Sequence, residues 1–224
     1  CVDDSNYKTI GNNGYEGKKS PYRMLTSTIT DQLHLAQNMH GKTIGIAIKD
    51  RSSILPAGHT ANAAYWFSGG KFGQWISSSF YMDNLPSWVT SFNNSKKADE
   101  YLSKPWETLY DITTYKQSIA DNNEFEGLHK GEETPTFPHN IPELRKNNGN
   151  YSLIKGIPAG NSLTTDFAIA AIKNEKLGTT EFTDFLTLSY SSTDYVGHQY
   201  GPASVEIEDT YLRLDKDLEK LFST

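Results

Sequence analysis

The sequence predicts an α/β protein: a sheet with flanking helices, interrupted by an inserted aromatic-rich α+β region. Three observations carry this. A helix pattern followed at once by a strand pattern occurs twice, near residues 28–48 and 164–190. Between them, residues 60–160 are first dense in aromatics and then polar and broken by prolines. A helix with one continuous apolar stripe closes the chain. Repeated helix–strand steps favour parallel pairing, because a parallel strand is reached only through a crossover. The sheet is therefore expected to be mostly parallel.

The elements follow in order. Residues 1–26 are polar and contain Gly and Asn, so they read as irregular. Ser27 or Thr28 caps a first helix, in which Ile29, Leu33, Ala36 and Met39 recur at helical spacing until Gly41 stops it. Ile44, Ile46 and Ile48 then alternate with Gly45 and Ala47, the pattern of a buried strand that ends at Lys49-Asp50-Arg51. Gln74 to Tyr81 reads as a strand and Leu85 to Phe92 as a short helix. Pro135, Pro138, Pro142 and Pro158 break the rest of the insert. Thr164 or Thr165 caps a helix through Phe167, Ala168, Ala171, Ile172 and Lys176, which Gly178 ends. Phe182 to Tyr190 is the next strand, and a loop carries residues 194–198. Ser204 caps the last helix, with Ile207, Tyr211, Leu214, Leu218 and Leu221 on one stripe and Glu206 and Glu208 at its positive end. The expected divisions are a core segment 1–59, an insertion or cap 60–160, and a core segment 161–224.

Composition narrows the function. With 224 residues the chain can bury a core. Its net charge is −6 and its mean hydropathy −0.59. No basic stripe suggests a nucleic-acid groove, and no apolar run approaches the roughly 20 residues of a membrane span. No signal-peptide pattern opens the chain. Cys1 is the single cysteine, so no intrachain disulfide forms. It is either a lipidated first residue or simply where this stretch begins, and the second reading is favoured. Any anion-binding site in so acidic a chain must create its positive field locally.

Two groups of residues could do so. Asp194 and His198 lie four positions apart after a strand, where open α/β sheets keep their sites. Carboxylate oxygen and neutral imidazole nitrogen are good zinc ligands. The plain alternative is a solvated loop with a helix-capping acid. Lys49 and Arg51, two apart on an extended segment, would share a face and could grip phosphate oxygens. The plain alternative is a pair of solvated cations.

The segments Ser191-Ser192-Thr193-Asp194-Tyr195-Val196-Gly197-His198-Gln199-Tyr200-Gly201-Pro202 and Lys49-Asp50-Arg51 resemble the alkaline phosphatase superfamily, in the type I phosphodiesterase/nucleotide pyrophosphatase branch and most like its PafA-type alkaline phosphatases. Leu55-Pro56-Ala57-Gly58-His59, Trp75-Ile76-Ser77-Ser78 and Glu208-Asp209-Thr210-Tyr211-Leu212-Arg213-Leu214-Asp215 extend the likeness. The resemblance implies an internal fragment of a two-zinc phosphatase with an alkaline-phosphatase-like sheet. Asp194 and His198 would hold one zinc, with Gly197 letting the loop turn, and a third ligand would lie beyond this chain. Lys49 and Arg51 would contact the phosphoryl group, which points to phosphate monoesters. The Thr or Ser nucleophile is absent from this chain, and no Asp-His dipeptide for the second zinc occurs in it. The fragment alone is expected to be inactive, and the full protein to be periplasmic or secreted. Its expected partner is a phosphate ester, with no nucleic acid and no membrane.

Two other functions stay open: a phosphodiesterase or nucleotide pyrophosphatase, and a non-catalytic module whose aromatics bind a carbohydrate or partner. The Trp and Tyr cluster is read first as core. Gly58-His59-Thr60 imitates the family's nucleophile context but follows Lys49 instead of preceding it, so His59 is read as structural. His34 is read as a surface residue and His40 as a helix-end residue; His129 and His139 receive no role.

Overall fold

The computed structural model describes residues 1–224. The chain forms two compact units. The first comprises Cys1–Ser68, Gln74–Ser95 and Phe167–Ser189; the second comprises Gly69–Gly73, Lys96–Asp166 and Tyr190–Thr224. No helix is long and apolar enough to cross a membrane.

The first unit holds a five-stranded sheet in the order β1-β4-β3-β2-β5. Its strands are β1 (Thr9–Ile10), β2 (Thr43–Ala47), β3 (Ala63–Ser68), β4 (Gln74–Ser78) and β5 (Phe185–Ser189). The middle strand β2 runs parallel to β3 and β5, while β3–β4 and β4–β1 are antiparallel. The sheet is therefore mixed and not mostly parallel. The reason is local: residues 69–73 are too short a connection for a crossover and permit only a hairpin. Residues 63–78, read as the start of the insert, supply β3 and β4.

All residues of β2 and β3 are buried, as expected of strands covered on both faces. On one face, helix α2 (Asp50–Ala57) lays Ile54 against Val2, Ala64, Trp66 and Ile76. It approaches β2 so closely that the Ser53 hydroxyl donates to the Gly45 carbonyl at 2.9 Å. The other cluster centres on Phe167, whose ring stacks on Trp75 at 4.3 Å and meets Tyr65, Trp88 and Phe92 at 5.1–5.5 Å. Trp75 is 1% exposed. Trp88 is half-buried and donates its indole N–H to Glu175. Trp75 is core, and Trp88 packs partly buried beside it against Phe167.

Helix α1 (Ile29–Ala36) has the expected Thr28 cap, with Asp31 completing a capping box. Its buried face is not the apolar stripe, however. Thr30, Asp31 and His34 are buried, while Ile29, Leu35 and Met39 are exposed. His34 is thus a core residue, not a surface one, with Nδ1 3.0 Å from the Thr60 carbonyl. Helix α3 (Ser87–Asn94) matches the predicted short helix.

The second unit contains α4 (Lys97–Leu102), α5 (Ile141–Leu144), two 3₁₀ segments (Ile112–Thr114 and Asn150–Gly156), α7 (Ser192–Tyr200) and α8 (Val205–Phe222). Helix α6 (Ala159–Glu175) spans both units. It starts right after Pro158, one turn before the predicted caps. Thr164 and Thr165 instead bond back to the carbonyls of Gly160 and Asn161, the usual outlet for a threonine inside a helix. Helix α8 has the predicted Ser204 cap and buries Ile207 of its stripe, but it buries several polar side chains as well. Glu206, Asp209, Thr210 and Asp217 are inside, while Tyr211 is 59% exposed. Asp209 explains this. It accepts the Leu109 N–H at 2.7 Å, the Trp106 indole N–H at 2.7 Å and the Arg213 Nε–H at 2.6 Å, together with the Tyr115 hydroxyl. A carboxylate with four donors is well compensated when buried.

Candidate functional site

The two groups singled out in the sequence lie in different units, Lys49 and Arg51 in the first and Asp194 and His198 in the second. Each follows the carboxyl end of a strand. Those strands, β2 and β5, are parallel neighbours whose last residues, Ala47 and Ser189, are paired.

Lys49 and Arg51 are not on an extended segment. Lys49 is the extended N-cap residue of α2, and Arg51 lies in its first turn. The shared-face argument from strand periodicity therefore fails. What replaces it is a helix N-terminus carrying the two cations, a setting that favours anions. Asp50 stands between them, with Oδ1 4.0 Å from Arg51 Nη1 and Oδ2 3.0 Å from Lys19 Nζ. The Arg51 side chain is 53% exposed.

Asp194 and His198 are not on a loop either. They lie on one face of α7, four residues apart, with Asp194 Oδ1 3.4 Å from His198 Nε2. Gly197 is an ordinary helical residue and makes no turn. Helical spacing brings the two side chains together, which loop geometry was expected to do. Both are open to solvent, at 52% and 81% of their side-chain surface. Asp194 also sits in the first turn, where an acid is favoured. No three His, Cys, Asp or Glu side chains of the chain are gathered so as to hold a metal ion.

Gly58-His59-Thr60 packs on Asp31. That carboxylate accepts the N–H groups of Thr28 and Thr60, both at 2.9 Å, and lies 3.2 Å from His59 Nδ1. Burial opposes its charge, but the Thr28 and Thr60 N–H groups, with His59 and the Thr60 hydroxyl, hold its carboxyl well below the usual range. This is a buried anchor for α1, in which the Thr60 hydroxyl donates to Asp31 Oδ1 at 3.0 Å and lies 3.1 Å from His34 Nδ1.

The most perturbed imidazole is one the sequence did not mark. His139 is 1% exposed, with Nδ1 2.7 Å from Glu132 and Nε2 3.2 Å from Glu206. Trp106 and Tyr200 pack on its ring at 4.9 and 5.3 Å. Burial alone would lower its pKa, but the two carboxylates outweigh burial and hold it up at about 9. Burial pushes the nearby Asp121 up to about 6. No sequence signal could have found this group, because Glu132, His139 and Glu206 follow no common spacing. A separate cavity of about 230 Å³, lined by Tyr101, Trp106, Ile157 and Arg213 among others, contains none of the four predicted site residues.

Comparison with known proteins agrees with the resemblance. The type I phosphodiesterase/nucleotide pyrophosphatase family profile matches residues 8–224. A protein of Myroides odoratus named a calcium-transporting ATPase is 56% identical over 220 residues, covering 97% of this chain and 40% of its own length. The alkaline phosphatase PhoV of Synechococcus elongatus is 51% identical over 223 residues, covering 100% of this chain and 40% of its own. The crystal structure of wild-type alkaline phosphatase PafA superposes with a TM-score of 0.95 at 43% identity, covering 100% of this chain and 43% of that one. The chain thus spans about two fifths of the length of the curated relatives it matches. Its mixed sheet with flanking helices is the fold of the PafA alkaline phosphatase. The match over nearly every residue, and the fold that goes with it, make the chain a member of the type I phosphodiesterase/nucleotide pyrophosphatase family.

Proposed function

We propose that the full-length protein hydrolyses phosphate monoesters with the help of bound zinc, and that Asp194 and His198 supply two of one ion's ligands. One observation carries this reading: the 3.4 Å between Asp194 Oδ1 and His198 Nε2. Ligands at about 2.0–2.2 Å from a tetrahedral zinc lie roughly 3.3 Å from each other. The pair therefore already has the bite of two corners of such a site, in a solvent-accessible position and with the right donor chemistry. When bound, the metal supplies a Lewis acid that polarises a phosphoryl oxygen.

The chain's own residues do the rest of what is assigned to it. Asp194 would contribute negative charge that offsets the ion, and His198 would ligate it through an imidazole nitrogen. Lys49 and Arg51 compensate charge on the equatorial oxygens, where phosphoryl transfer concentrates it. A monoester carries one more negative charge than a diester, so two added cations favour it. The attacking Thr or Ser oxygen and the remaining metal ligands belong to parts of the protein outside this chain, and the chain by itself is inactive. The substrate is a phosphate ester outside the cytoplasm, in the periplasm or the medium.

The family's description as phosphodiesterase and nucleotide pyrophosphatase supports a second reading, a diesterase. Kinetics of the full-length enzyme separate the two. Under the monoesterase reading, Lys49→Ala combined with Arg51→Ala lowers kcat/KM for p-nitrophenyl phosphate by about 10²-fold or more. The rate with bis-p-nitrophenyl phosphate changes little. Equal losses on both substrates refute the monoester assignment.

A further inference from the structure

We propose that Asn161 is a positioning residue for the Asp194–His198 pair, acting through the first turn of α7. The inference rests on the zinc reading above and deepens it. Asn161 is 1% exposed and lies near the start of α6. Its Oδ1 accepts the Ser192 N–H at 3.1 Å, and its Nδ2 donates to Thr193 Oγ1 at 3.0 Å. Ser192 and Thr193 are the two residues just before Asp194.

A helix leaves its first N–H groups without internal partners, and a side chain at the N-cap usually takes one of them. In α7 the N-cap residue Ser191 makes no such side-chain bond. Asn161 takes that place from a different helix. Water cannot easily stand in, because Ser192 is fully buried. A second tie runs alongside, from the Thr165 hydroxyl of α6 to the Tyr190 hydroxyl at 3.1 Å. The amide spends its acceptor and one donor on the turn that carries the metal-binding acid.

The consequence is asymmetric. His198 lies in the second half of α7 and is held by its helical hydrogen bonds. Asp194 lies in the first turn, the part of a helix that frays when a cap is lost. The 3.4 Å separation then depends on Asn161 keeping that turn wound. Partners that orient metal ligands from behind are worth roughly 10–100-fold in metal affinity.

The test uses the full-length protein, as Asn161→Ala, Thr193→Val and Asp194→Asn. It reads zinc affinity by chelator competition, the visible spectrum of the cobalt-substituted protein, and kcat and KM on p-nitrophenyl phosphate. Asn161→Ala is expected to weaken one metal site about 10–100-fold, alter the cobalt spectrum and lower kcat with little change in KM. Thr193→Val, which removes only the Nδ2 contact, gives the same change in milder form and serves if Asn161→Ala fails to fold. Wild-type affinity and cobalt spectrum in the folded variants overturn the positioning role. Loss of one metal in Asp194→Asn with none of these changes sinks this inference alone. Full metal content in Asp194→Asn sinks the zinc reading beneath it.

Discussion

Replacing Gly45 by alanine tests whether α2, with Lys49 and Arg51 at its start, owes its position to close packing on β2. A Cβ at residue 45 would lie 2.2 Å from the Ser53 carbonyl oxygen and 2.9 Å from the Ala57 Cβ. Carbon and carbonyl oxygen ordinarily meet at about 3.3 Å, so α2 would have to withdraw by about 1 Å. The strand cannot withdraw instead, because β2 is paired along both edges, to β3 and β5. Overpacking of this kind costs about 1–3 kcal/mol. Retreat of α2 also weakens the buried Ser53–Gly45 hydrogen bond, worth about 1 kcal/mol. The sum is roughly 2–4 kcal/mol, a fall in melting temperature of about 5–15 °C for a chain of this size. Because the Ser53 N–H bonds to the Lys49 carbonyl, the first turn of α2 moves with its cations. Monoester kcat/KM of the full-length protein should drop even well below the melting transition. Thermal denaturation followed by circular dichroism, with kinetics at 25 °C, is the assay. A variant melting within about 1 °C of wild type with unchanged kcat/KM would show that α2 is held by something other than this contact.

The same construction of a Cβ gives the opposite result at Gly197, where the only contact is Ile207 Cδ1 at an ordinary 3.7 Å. Gly197→Ala is expected to raise stability by up to about 1 kcal/mol through helix propensity, with metal affinity unchanged; a lower melting temperature contradicts a helical residue 197. His139 makes stability depend on alkaline pH. Its folded pKa of about 9 lies above its ordinary value of 6.5. The stabilisation is therefore full below about pH 6.5 and is lost as pH rises through 9. Denaturant melts between pH 6.5 and 10 should show this decline, and His139→Gln should flatten it; an equal slope in the variant refutes the assignment.

Periodicity made several elements legible. The alternation of Ile44, Ile46 and Ile48 marked β2. The capping residues Thr28 and Ser204 marked the starts of α1 and α8. Helix α1 nevertheless buries the face opposite its apolar stripe, and α8 buries Glu206, Asp209, Thr210 and Asp217 beside Ile207 of its stripe. Hydropathy alone cannot anticipate this, because what makes the polar face buriable comes from afar. Asp209 is satisfied by Trp106, Leu109 and Tyr115, about a hundred positions earlier in the chain. Helix α2 shows no clear amphipathic pattern, with Pro56 near its end, and its position over β2 depends on the missing side chain of Gly45. Helix α7 contains a glycine and reads as a loop until Asn161, distant in sequence, is seen to support its first turn.

By itself, the order of residues supplied the candidates for the proposed chemistry: Asp194 and His198 as oxygen and nitrogen donors, Lys49 and Arg51 as positive charges. It also determined the family, since the motifs keep their identity whatever conformation they adopt. The tertiary structure decided the geometry. Both motifs lie on helices that local signals do not announce, so the acid in the first turn of α7 and the imidazole in its last meet through an i, i+4 relation and the cations gather at a helix N-terminus. The physical reason is that short helices gain most of their stability from packing, and packing partners are set by contacts far apart in the chain.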